Sequence, residues 1–467
     1  MADDYLEFLQ RKQFTAQAQG IKIPKECLNA NLFDFQRDLV HWALQKGRCA
    51  LFCDTGLGKT LSQLEWSNHV HRATGRNVLI LAPLAVARQT AREGEKFGIP
   101  VTLARSQEDV QDGINVTNYD RLHLFDLSQF AGVVLDESSI LKSYTGKTTQ
   151  ELIERCQVVP YRLACTATPA PNDHEELGNH AEFLGVMTRT EMLSMFFVHD
   201  GGDTSKWRIM GHAEEAFWRF VGSWAVAVRK PSDLGYDDGA YNLPPLQFHE
   251  HCLEIESDEF TGRLFGVEAE TLTEQRRVKR GTLEERCSYA ATLARNEHDE
   301  QFLIWCELND ESALVTKLIP GAVEVKGSDT PEHKENAMMD FADGKIRVLV
   351  SKSSICGFGM NFQSCARQVF VGVNHSYESN YQAIRRCWRF GQTRPVDVHM
   401  IYSTEEAPII RNLRRKQDAH EQMSRAMVEL MRSASGIKTS TTRQTTPYNP
   451  QKRMILPKWL DCLEVAA

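Results

Sequence analysis

The chain has no apolar run approaching the length of a membrane-spanning helix, no C-x-x-C pair among its 12 cysteines, and no excess of positive charge, the formal net charge being −8. The first absence gives no candidate for a membrane helix, and the second gives neither a zinc ribbon nor a secreted disulfide framework. The third argues against an indiscriminate nucleic-acid coat, although such binding depends on where positive charge sits rather than on its sum. The N-terminal stretch MADDYLEFLQRK is acidic and then polar, unlike a signal peptide. The expectation is a cytoplasmic protein with reduced thiols.

What is present is the balance of a soluble globular protein, with 42% hydrophobic and 25% charged residues. At 467 residues the chain exceeds one ordinary core, so two or more domains are expected. Short apolar, β-branched runs alternate with amphipathic stretches in CALFCD, NVLILAP, INVTNY and GVVLDES. A second set follows in FLIWCEL, AVEVKG, IRVLVS, RQVFVGV and VDVHMIY. This alternation predicts two α/β domains with parallel sheets and crossover helices. Residues 185–240 are rich in Phe, Trp and Gly, and DLGYDDGAYNLPPLQ has the turn composition of an interdomain crossing. Residues 256–300 and 405–432 read as helical, and a Ser/Thr-rich tail follows Gly436.

CALFCDTGLGKT places a strand directly before a glycine-rich loop, with Lys59 and Thr60 opening the next helix. In such a loop Thr55, Gly56 and Gly58 let backbone N–H groups face a polyphosphate. Lys59 brings charge to the β and γ oxygens, and Thr60 offers a hydroxyl to magnesium. Cys53 stands where the strict G-x-x-x-x-G-K-[ST] pattern has its first glycine. The partner of a phosphate loop is an acid at a strand end, and AGVVLDESS supplies Asp136 as a Mg2+ holder and Glu137 as the group that activates water. In LFDFQRDLVHWAL, Gln36 carries an amide able to donate to and accept from an adenine edge, or to cap its own helix.

These residues, in order, resemble the motif series of the superfamily two helicases, and specifically the Swi/Snf-like branch of double-stranded DNA translocases. The form is compact and similar to phage and prophage helicases. FDFQRDLVHWAL resembles the Q-motif, DTGLGKT motif I, ILAPLAVARQT motif Ia, VTNYDRL motif Ib and LDESS motif II. RLACTATPAPNDHEELG resembles motif III, VLVSKSSICGFGMNFQSC motif V and QAIRRCWRFGQTRPV motif VI. Ser138 and Ser139 replace the Ala-His or Ala-Gln common after the acidic pair, and Ala167 replaces a glycine of motif III. The resemblance implies two tandem RecA-like lobes. Residues 1–27 would be an N-terminal extension, 28–240 lobe one with a helical insertion, 241–435 lobe two with an insertion at 256–300, and 436–467 a tail that could engage protein partners.

The run at 382–395 holds four arginines and no acid. On a helix, Gln382, Arg385, Arg386 and Arg389 share one arc, and Ala383, Ile384, Cys387, Trp388 and Phe390 another. By resemblance, Arg389 is the arginine finger, Arg386 a γ-phosphate sensor, and Gln382 and Gly359 contribute to the nucleotide site. Arg385 and Arg394 are open between DNA contact and structural roles. The resemblance also implies that Thr117, Asn118 and Ser354 track a DNA backbone. The basic run Arg276, Arg277, Lys279 and Arg280 is either a further DNA contact or a solvated helix face. The function implied is an ATP- and Mg2+-dependent translocase on DNA, preferably duplex. An RNA or single-stranded-DNA unwinding helicase and a nucleotide-gated DNA clamp with slow ATPase remain as alternatives.

Overall fold

The computed structural model describes residues 16–200, 203–254, 279–356 and 361–434. Gly359, Arg276, Arg277 and the tail beyond Ala434 lie outside the described residues, as does most of the stretch 256–300 before the helix Leu283–Asn296.

The first half supplies β1 (Arg48–Cys53), β2 (Asn77–Ala82), β3 (Val101–Leu103), β4 (Ile114–Asn118), β5 (Phe130–Asp136) and β6 (Tyr161–Cys165). An antiparallel hairpin follows, β7 (Phe197–Asp200) with β8 (Asp203–Ile209), and then β9 (Ala225–Val228). All except the hairpin form one parallel sheet in the order β3-β4-β2-β5-β6-β1-β9. The second half gives β10 (Leu246–Leu253), β11 (Phe302–Cys306), β12 (Val323–Val325), β13 (Val348–Lys352), β14 (Arg367–Phe370) and β15 (Val396–Ser403), again all parallel, in the order β10-β15-β14-β11-β13-β12. Parallel strands need crossovers, which place helices on both faces and bury the strands twice over. Each sheet accordingly has one apolar cluster on either side. These are two tandem RecA-like lobes.

The helices that matter for function are α1 (Asp34–Lys46), α2 (Lys59–Thr74), α3 (Leu84–Lys96), α4 (Leu177–Leu184), α5 (Glu214–Trp224), α6 (Tyr377–Ile384) and α7 (Ala407–Ala434). The aromatic-rich segment after residue 185 packs Phe217, Trp218, Phe220 and Trp224 of α5 into lobe one and then contributes β9, which pairs with β1. It therefore completes the first sheet.

Helix α7, at 28 residues, is about 42 Å long. It leaves lobe two with Ile409, Ile410 and Leu413 buried in that lobe's core. Further along, Met423 and Met427 sit in the core of lobe one, and the helix lies against α5 and β9. One continuous helix is thus anchored in both lobes.

Candidate nucleotide site between the lobes

The loop after β1 turns back on itself through Gly56 (φ 87°) and Gly58 (φ 76°), a left-handed conformation that costs a residue with a Cβ roughly 1–2 kcal/mol. Space is limiting as well. A Cβ on Gly58 would stand 2.2 Å from Gln36 Nε2, and one on Gly56 would stand 3.3 Å from the backbone nitrogen of Phe390, in lobe two. The loop feeds the N-terminus of α2, where Lys59 Nζ donates to the carbonyls of Cys53 (2.9 Å) and Asp54 (3.4 Å). Gln36 accepts from Phe33 N–H (2.9 Å) and donates to the Leu57 carbonyl (2.9 Å), so its amide joins the start of α1 to the phosphate loop.

Asp136 and Glu137 close β5. Gln63, one turn into α2 from Lys59, donates to Asp136 Oδ1 at 2.8 Å and fixes that carboxylate beside the loop. Glu137 has φ 59° and is the one non-glycine residue with positive φ among the described residues. Such backbone strain is found disproportionately at functional sites. Thr166 of motif III donates to Glu137 Oε2 at 3.3 Å, and Ser138 pairs with His180 of α4 at 3.1 Å. Burial raises the pKa of both acids, offset in part by Lys59 for each and by the Gln63 hydrogen bond for Asp136. The acids prefer a nearby cation or a proton.

Lobe two supplies the opposite wall, though not on a continuous helix. Helix α6 stops at Ile384 and the chain continues in turns, so the expected helix over 382–390 is shorter, yet Arg385, Arg386 and Arg389 still face one shared cavity. Local backbone bonds continue as far as Trp388 N–H, which donates to the Ile384 carbonyl at 3.1 Å, and tertiary hydrogen bonds add to them. The Arg386 carbonyl accepts from Phe362 N–H (2.9 Å), and Gln392 Nε2 donates to the carbonyls of Cys365 and Cys387. Trp388 Nε1 donates to Pro244 O at 2.7 Å.

The arginines differ in their partners. Arg386 donates to the Gln382 side chain at 3.1 Å. Arg389 makes no hydrogen bond or ion pair among the described residues, and burial with Arg386 and Arg385 nearby lowers its pKa to about 10. Arg385 forms a buried ion pair with Asp54 of lobe one, and Arg394 pairs with Glu300 at 2.9 Å and with the Ser364 carbonyl inside lobe two. Both make ion pairs within the chain.

A cavity of about 170 Å³ at the seam is lined by Thr55, Gly56, Gly58, Lys59 and Thr60 on one side, Asp136 and Glu137 at its floor, and Arg386 and Arg389 on the other. Arg385 and Asn361 of lobe two and Val86, Gln89 and Glu93 of α3 complete it. Desolvated cations and desolvated acids facing one space fit a metal-bound polyphosphate, which compensates both. Gln36, Gln382 and Ser354 stand outside this lining. Gln382 is buried, with Nε2 unpaired among the described residues, and Ser354 is exposed in the short helix after β13.

The expected DNA-tracking set is not assembled on one surface. Thr117 is 1% exposed and Asn118 8%, because β4 lies between β3 and β2 with both faces covered, so Thr117 is out of reach of a DNA backbone in this arrangement. Lys279, from the basic run, is buried against Glu307 and the Val373 carbonyl and serves the interior of lobe two. Sequence reasoning missed Asp54, Gln63 and Tyr381. Gln63 had a signal, because α2 carries Ser62, Gln63, Glu65, Ser67 and His69, all of which prove buried.

Two parallel-sheet lobes with a phosphate loop on one and arginines from the other across a shared cavity define a two-lobed P-loop nucleotide-binding protein. Residues 35–196 match the SNF2-related domain and residues 285–391 the helicase conserved C-terminal domain. The chain belongs to the Snf2-like superfamily two helicases. It is similar to the bifunctional helicase and thymine dioxygenase JBP2 of Leishmania braziliensis, 31% identical over 94 residues, covering 20% of this chain and 9% of that protein. The JBP2 protein of Leishmania tarentolae is 28% identical over 108 residues, covering 22% and 10%. The chain thus matches about a tenth of the length of these curated relatives. Among solved structures, a Sulfolobus solfataricus SWI2/SNF2 ATPase core in complex with dsDNA aligns over 88% of this chain and 97% of that one, at 19% identity and a TM-score of 0.42.

Proposed function

We propose that this chain is an ATP-driven translocase on DNA, with the duplex as its preferred track. The observation that carries the reading is the shared cavity, in which Lys59 of lobe one and Arg389 of lobe two face the same space. The N–H groups of the loop and Lys59 grip the phosphates of ATP. Thr60 and Asp136 fit a magnesium ion, which would screen charge on the β and γ oxygens. Glu137, its pKa raised by burial, orients the attacking water and accepts its proton. Thr166 keeps that carboxylate in place. Arg386 and Arg389 stabilise the charge that spreads over the transferring phosphoryl group.

Because the two halves of the site belong to different lobes, hydrolysis is tied to closure, and release of the products permits opening. Repeated closure against a polymer held by both lobes is movement. The preference for duplex DNA rests on the ordered motif series and on the family to which the chain belongs.

The test is steady-state ATP hydrolysis without nucleic acid and with single-stranded DNA, duplex DNA or RNA, beside Glu137→Gln. Stimulation by duplex DNA, absent in Glu137→Gln, is expected. Selective stimulation by a single strand or RNA, with a labelled duplex coming apart, replaces this reading with an unwinding helicase. Negligible stimulation with nucleotide-dependent DNA retention replaces it with a clamp.

A further inference from the structure

The seam contains a buried contact that the chemistry above does not use. Asp54, the residue that opens the phosphate loop, accepts from the Arg385 guanidinium and from the Tyr381 hydroxyl, both on lobe two, and from its neighbour Thr55 N–H at 2.6 Å. Arg385 is 3% exposed, with its guanidinium 4.7 Å from the Trp388 ring centroid and 5.6 Å from that of Tyr381. On the lobe-one side Asp54 is held twice over. Its N–H donates to the Val228 carbonyl of β9 at 2.9 Å, and its own carbonyl accepts from Leu57 N–H and Lys59 Nζ.

On the lobe-two side Tyr381 lies in the last turn of α6, and Arg385 N–H donates to its carbonyl at 3.0 Å. Arg386 and Arg389 follow in the same tied-down turn. The contact separates two spaces. Arg385 lines the phosphate cavity on one side and, with Asp54 and Tyr381, a larger cavity of about 620 Å³ on the other. Other pairs cross the seam, Arg92 with Glu335 at 2.6 Å and Lys142 with Glu378 at 2.5 Å, but Arg92 and Lys142 are 67% and 41% exposed and salt screens such pairs.

We propose that Asp54, through Arg385 and Tyr381, is a positioning residue that pins motif VI to the phosphate loop before nucleotide arrives, so that Arg386 and Arg389 are already set across the cavity. This rests on the reading of that cavity as the ATP site. The pin raises affinity by raising the fraction of molecules in the closed, binding-competent arrangement.

Simple electrostatics predicts the opposite sign for its removal. Deleting a carboxylate beside a polyphosphate site strengthens anion binding. Deleting a pin weakens it.

The experiment uses the full chain with Asp54→Asn, Arg385→Gln, the double variant and Tyr381→Phe, which removes one hydroxyl. A fluorescent ATP analogue reports affinity, and small-angle X-ray scattering without nucleotide, at low and high salt, reports lobe separation. Asp54→Asn is expected to weaken the analogue about tenfold and to enlarge the radius of gyration at both salts, with Tyr381→Phe shifting both in the same direction by less. The double variant is expected to match the worse single rather than the product of the two. Tighter binding by Asp54→Asn, multiplicative losses in the double, or an unchanged radius of gyration in all variants would overturn the pin. Since binding and shape are read rather than turnover, a wild-type chain that binds the analogue but never hydrolyses ATP defeats the translocase reading and leaves this test intact.

Discussion

Arg389→Ala separates catalysis from stability because the two respond with opposite sign. Arg389 is a desolvated cation with Arg386 and Arg385 nearby and no compensating ion pair among the described residues. Its pKa is lowered to about 10 from an ordinary value above 12, so the folded state disfavours the charged form, and its presence opposes folding at every pH below about 10. Removing it relieves about 1–3 kcal/mol of that cost, less the packing lost with its stem. An arginine supplied to a phosphoryl-transfer site is worth roughly a thousandfold or more in rate, about 4 kcal/mol of transition-state stabilisation. The expected variant is folded, at least as stable as wild type, and without DNA-stimulated turnover. Thermal unfolding and a coupled-enzyme ATPase assay with duplex DNA measure the two effects. A variant with turnover within tenfold of wild type, or one with a melting temperature lowered as by a core truncation, refutes the reasoning.

Gly58→Ala combines positive φ with a Cβ 2.2 Å from Gln36 Nε2, so ATP affinity should fall at least tenfold, read by nucleotide titration. Glu176 accepts from Asn172 N–H and Nδ2, and burial raises its pKa to about 7. An acid raised in this way favours its protonated form in the fold, so stability declines as pH rises from about 4.5 to 7; Glu176→Gln should be more stable than wild type at pH 8 by about 1–3 kcal/mol, read by denaturant unfolding, and lose that advantage at pH 5. Met427, 1% exposed, anchors α7 in lobe one, and Met427→Ala should cost about 2–4 kcal/mol and increase proteolysis within α7.

Most central strands of both sheets were legible because strands covered on both faces read as unbroken apolar runs, as in NVLILA and FLIWC. β6, whose apolar run is interrupted by the buried Arg162, was not, nor were β9 and β10. AVAV is too short to stand out after an aromatic helix, and LQFHEHCL mixes half-buried and exposed positions, carrying histidines on the half-buried face. The phosphate loop and the Asp136-Glu137 pair were legible because a strand end fixes where such residues point. The arginine run was legible in composition and in the cavity it faces, but not in the length of its helix. A helical wheel assumes one regular helix throughout, whereas here consecutive local backbone bonds run only to Trp388, and Phe362, Gln392 and Trp388 add bonds with distant parts of the chain.

The same reason hid the role of Arg385, whose partner lies 331 residues away in sequence. Asp54 carries no pattern of its own; only the meeting of two lobes gives it one. Thr117 was misplaced as a surface contact because a short strand at a motif says nothing about whether its residues face inward. Arg286, fully buried and paired with Glu311 at 2.7 Å, is equally invisible in sequence.

The most direct measurement is a structure of the chain with ADP, aluminium fluoride, magnesium and duplex DNA. It should show the planar fluoride group contacted by Lys59 from one lobe and by Arg389 from the other, with Glu137 behind the apical oxygen. A fluoride group held by lobe one alone, with the Arg389 guanidinium turned into another cavity, would contradict the account.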